Sequence, residues 1–77
     1  MSKRGRKEYA VELYSKKDDS FIEQIDVYNS FNEAKTKMHE FEKDDNFKIE
    51  LETNYFGILC IEYDENDDEI NAYRITD

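Results

Sequence analysis

Proline and tryptophan are absent from this chain, glycine occurs twice, and cysteine and histidine once each. Each scarcity excludes something. Gly5 and Gly57 stand far apart, so there is no glycine-rich loop to cradle a phosphate and no Gly/Pro-rich linker to divide the chain. Cys60 has no second thiol to pair with, which removes an internal disulfide and suits a reducing cytoplasm. A lone His39, on the polar flank of a helical segment, cannot build a His-based metal cluster or a Cys–His nucleophile pair. Long apolar runs are missing too. None approaches the ~18 residues of a membrane span, and the first residues lack the apolar stretch of a signal peptide. The expectation is a cytoplasmic protein without membrane contact, without cofactor or metal, and without catalytic residues.

Charge is what the chain has in quantity: 40% of its 77 residues are charged and the net charge is −9. Such a composition borders on disorder, but six tyrosines add apolar area and the apolar residues are periodic, so one folded domain is expected. The signs are segregated. Lys3, Arg4, Arg6 and Lys7 make residues 1–7 a flexible basic arm, and residues 8–77 form the acidic domain. From Ile49 to Tyr73 there is no Lys or Arg, while Glu50, Glu52, Glu62, Asp64, Glu65, Asp67, Asp68 and Glu69 all fall there. Self-repulsion on this scale opposes compaction, so the charge calls for a purpose other than folding.

Period-two alternation predicts strands over Glu8–Tyr14 and Phe21–Tyr28, joined by the polar turn SKKDDS. Ser30 followed by Glu33 has the form of a capping box, and Phe31, Ala34, Met38 and Phe41 then recur as one helical stripe. Lys43-Asp44-Asp45-Asn46 ends that helix. Phe47, Ile49 and Leu51 alternate with Lys48, Glu50 and Glu52, predicting a third strand. Tyr55–Tyr63 is apolar on both parities and predicts a strand covered on both faces. After an acidic turn, Glu69–Ile75 is the last strand. The resulting class is α+β: an antiparallel sheet of about four to five strands in the order ββαβββ, with one helix packed on one face.

One helix covers one face. The other parity, with Tyr14, Tyr28, Leu59, Ile61, Tyr63, Tyr73 and Ile75, is left as a self-association surface for a twofold dimer. The alternative is that sheet twist and long side chains hide those residues. Two further motifs are incomplete. Asp64, Asn66 and Asp68 occupy the first oxygen positions of an EF-hand loop, but Glu69 stands where glycine is needed and Ile75 where the closing glutamate is needed. Arg4-Gly5-Arg6 resembles the centre of an AT-hook without its flanking prolines.

Carboxylates on a strand repeat every ~6.6 Å, and duplex DNA carries a phosphate per ~3.4 Å of each strand. A row of acids on an ordered scaffold can therefore present a DNA-like field to a basic groove. In its small size, acidity, αβ periodicity and many tyrosines the chain resembles the DNA-mimic proteins that bacteriophages make during host takeover, in particular an inhibitor of the nucleoid protein HU. The resemblance implies a non-enzymatic inhibitor acting in the bacterial cytoplasm. Glu50, Glu52, Glu62, Asp64, Glu65, Asp67, Asp68 and Glu69 would cover the DNA-binding surface of HU or a similar protein, and the acidic body would not itself bind nucleic acid. Two other readings stay open: an adaptor that binds a protein through its tyrosine-rich face, and a nucleic-acid binder that uses the basic arm.

Overall fold

The structure, a computed structural model, describes residues 5–75. They form β1 (Arg6–Ser15), β2 (Phe21–Tyr28), α1 (Phe31–Glu42), a 3-10 turn (Asp45–Phe47), a single-turn α2 (Glu50–Thr53), β3 (Asn54–Tyr63) and β4 (Glu69–Ile75). The α+β class and the single main helix are as the sequence predicts. The sheet is antiparallel and four-stranded, in the order β2-β1-β3-β4.

Helix α1 starts where the sequence places it, because the Ser30 hydroxyl accepts the N–H of Glu33 at 3.1 Å. Its stripe lies on β1 and β3. Val11, Leu13, Ala34, Phe56 and Ile58 are the buried centre, with Phe31, Met38, Phe41 and Ile75 packed around it. Both hairpin loops turn without glycine: Asp19 and Asp67 take the left-handed conformation, with φ of 60° and 66°. Aspartate accepts that region more readily than most residues do.

The strand predicted for Phe47–Glu52 does not form. Phe47 and Leu51 are four apart as well as even-spaced, and a helical turn aims both at the core while leaving Ile49 77% exposed. A short alternating run satisfies either period, and here the aromatic cluster decides. Phe47 sits 5.2 Å from Phe56 and 5.5 Å from Phe41, ring centre to ring centre. The element order is therefore ββα, two short turns, then ββ. Two residues expected in the basic arm lie in the sheet instead. Arg6 and Lys7 belong to β1, where they pair with Tyr63 and Glu62 of β3; Lys3 and Arg4 lie outside the described residues.

Registers sort the seven residues expected on one tyrosine-rich face onto both. Tyr14, Leu59, Ile61 and Tyr63 are on the face away from α1. Tyr28 is paired with Tyr9, Tyr73 with Cys60 and Ile75 with Ile58, all on the helix side. Tyr28 is there because it pairs with Tyr9; the two bulges of β2, at Ile25 and Ile22, each invert the alternation and so cancel between its ends, leaving Tyr28 on the helix side and Phe21 on the other.

Candidate functional site

The face away from α1 is closed by its own side chains. Tyr14 is 4% exposed and lies across Gly57, where a Cβ would meet the ring at 2.8 Å. Above the ring stacks the Arg74 guanidinium, 3.8 Å from its centre. Arg74 donates to the Tyr55 hydroxyl at 2.7 Å, and Tyr55 donates to Asp19 at 2.6 Å. The Tyr14 hydroxyl donates to Glu12, a carboxylate only 6% exposed. Ala10 and Ile61 are buried along the same face. Twist and long side chains thus hide most of what the sequence offered as a self-association surface.

Sequence reasoning missed this layer because its members are polar residues spread over four elements. The one available signal was Gly57, a glycine inside an otherwise apolar strand, which marks a close approach. Gly57→Ala is expected to lower stability by about 1–3 kcal/mol, the usual range for overpacking a filled site. Chemical denaturation measures this; a variant as stable as the parent would show that the ring moves aside freely.

The acidic residues divide into two groups. Glu50 and Glu52 are on α2, at one end of β3, beside the mixed-charge turn whose Lys16 bonds to Thr53 and Leu51 carbonyls. Glu62, Asp64, Glu65, Asp67, Asp68 and Glu69 cluster at the other end. A ten-residue strand separates the groups, about 30 Å at ~3.3 Å per residue. They do not form one continuous row.

Within the larger group the side chains have different duties. Asp64 organises the turn, its carboxylate accepting the N–H of Asn66 at 2.8 Å and of Asp68 at 3.0 Å. Asp67 is paired with Arg6 at 3.1 Å, and Arg6 also holds Glu8 and stacks 4.2 Å over Tyr63. Glu62 is paired with Lys7 at 3.3 Å and receives Asn71. Glu65, Asp68 and Glu69 point into solvent. Intramolecular contacts thus occupy Arg6 and Lys7 and hold the turn in one shape, while three carboxylates remain presented.

Elsewhere, Asp26, Tyr28, Lys37, Glu40, Phe41 and Asp44 line an open groove of about 510 Å³ between β2 and α1. Cys60 is buried, with the Tyr73 hydroxyl against it; that contact raises the Tyr73 phenol above its ordinary range. His39 is on the surface of α1, 3.0 Å from Glu42. Among the described residues no group of three His, Cys, Asp or Glu is placed to hold a metal ion, and no helix is long and apolar enough to cross a membrane. No family model, no curated protein and no solved structure matches this chain.

Proposed function

We propose that the chain is a non-enzymatic decoy for nucleic-acid phosphates, binding the basic DNA-contacting surface of a protein such as HU and displacing DNA from it. The observation that carries this reading is the 64–69 turn. Its backbone is fixed by Asp64 and its flank by the Arg6–Asp67 pair, and Glu65, Asp68 and Glu69 project from that frame. A turn already fixed in shape spares its backbone the ordering cost when these carboxylates meet lysines and arginines, and a body of net charge −9 steers a cationic partner toward them. Glu50 and Glu52, at the far end of β3, contribute to the long-range field rather than to the same contact.

The test is substitution of only the carboxylates that carry no structural bond. The triple variant Glu65→Gln, Asp68→Asn, Glu69→Gln should keep its fold and bind purified HU about 10–150-fold more weakly at low salt, at roughly 0.5–1 kcal/mol per rim charge. Parent affinity should fall steeply with added salt, and duplex DNA should compete. Undiminished binding by the triple variant, or binding indifferent to salt, would remove the turn from the contact.

A further inference from the structure

The two edges of the sheet are not equivalent. Edge β2 carries two bulges, Glu23 and Asp26, and such features stop a strand from recruiting another. Edge β4 has its single irregularity at Ile70, close to its start, and runs regularly from Asn71 to Ile75. Asn71, Ala72 and Tyr73 at its centre are uncharged, and Ile70 and Tyr73 expose apolar surface of 64% and 42%. Among the described residues no strand pairs with the outer side of β4; its central donor, the Ala72 N–H, is held at 3.0 Å only by the exposed Asn71 side chain, a bond that a partner carbonyl has to replace.

We infer that β4 pairs with β4 of a second copy, antiparallel about a twofold axis near Ala72, to give a continuous eight-stranded sheet. The distribution of charge along the strand selects this occupant. Glu69 and Arg74 stand at opposite ends, and the registers place both on the face away from α1. Antiparallel pairing of two copies brings Glu69 of one beside Arg74 of the other; parallel pairing would set like charges together. Arg74 remains exposed although it stacks on Tyr14, so it has donors to spare. Ala72 is small and neutral, as a residue facing its own copy across the axis has to be. In such a pair Tyr73 neighbours Asn71 of the partner on the helix side, covering part of the exposed ring.

The contact is small, below the ~1,200 Å² typical of tight complexes, so dissociation constants on the order of tens of micromolar are expected. Two bodies of charge −9 repel, so added salt strengthens this association. That is opposite to the salt dependence expected of the acidic turn with a cationic partner, and the inference does not rest on that function.

Sedimentation equilibrium of the full chain from about 1 to about 500 µM tests it, together with hydrogen exchange read residue by residue. A monomer–dimer equilibrium that tightens with salt is expected. Alternate amides of β4 should slow with concentration while those of β2 do not. Ala72→Lys puts like charges face to face at the axis and should weaken the dimer at least tenfold, although it lowers the overall repulsion. Gln24→Lys makes the same change of charge on exposed β2 and should leave the dimer intact. Circular dichroism confirms that both variants fold; if Ala72→Lys does not, the concentration-dependent exchange of the parent decides alone. A parent that stays monomeric throughout, a dimer indifferent to Ala72→Lys, equal loss from Gln24→Lys, or protection appearing on β2 would each overturn the proposal.

Discussion

Phe56→Ala is expected to leave the domain largely unfolded at 25 °C. Truncating a buried phenylalanine costs about 3–5 kcal/mol, and a scaffold of this size rarely has more than ~3–5 kcal/mol from its core. Phe56 is well placed to reach the upper figure. It belongs to the buried centre, and its ring meets Phe47 edge-on at 5.2 Å and Phe41 at 6.0 Å. No disulfide is available to limit the loss, Cys60 being a free thiol. Loss of the cooperative thermal transition, followed by circular dichroism, is the expected result. A variant that melts within a few degrees of the parent would mean that Phe41 and Phe47 close over the gap. Phe47→Ala removes a half-buried member of the same cluster and should cost less, because its segment can detach without opening the sheet.

That cluster also explains where the sequence was readable and where it was not. Strands β1, β2, β3 and β4 and helix α1 were legible because each is long enough for its period to repeat several times, and Ser30 marks the helix start locally. The segment 45–53 was not, because Phe47, Ile49 and Leu51 fit period two, while Phe47 and Leu51 alone fit the helical period. Only the position of Phe56 on a distant strand chooses between them. Face assignment failed for a related reason. Alternation does set Tyr28 opposite Phe21 and Val27, but no local signal says which of those two sides meets the helix, and none fixes the register that sends Tyr73 and Ile75 there as well. The acidic turn was the most legible part of the site, since DENDD can hardly be anything but a loop. Its internal division into Asp64, Asp67 and the presented Glu65, Asp68 and Glu69 depends on Arg6, sixty-one residues from Asp67.

Tyr14→Phe is expected to destabilise the domain by about 1–3 kcal/mol, the cost of leaving a buried acceptor without its donor, whereas Glu12→Gln should cost less because an acceptor remains. The phenol of Tyr14 donates to the buried Glu12 carboxylate under a lid of Arg74. Burial first, and then the bond to Glu12, push its pKa far above the ordinary phenol range. Alkali should act as the mutation does, by removing the same proton. The phenols of Tyr28, Tyr63 and Tyr73 are also raised, through burial at Tyr28 and through bonds to Glu8 and Cys60 at the other two. An unfolded tyrosine ionises near ~10, so above that pH the folded chain holds more protons than the unfolded one. Stability therefore declines as pH rises from about 10 toward the folded value of Tyr14, and the contribution is complete below that window. Denaturation midpoints across the alkaline range measure the decline, and ultraviolet titration of the phenols should show Tyr14 ionising last, together with unfolding. In Tyr14→Phe the decline should be shallower. An equally steep decline in that variant would assign the alkaline sensitivity to the other three tyrosines and leave the Glu12–Tyr14 bond with no part in it.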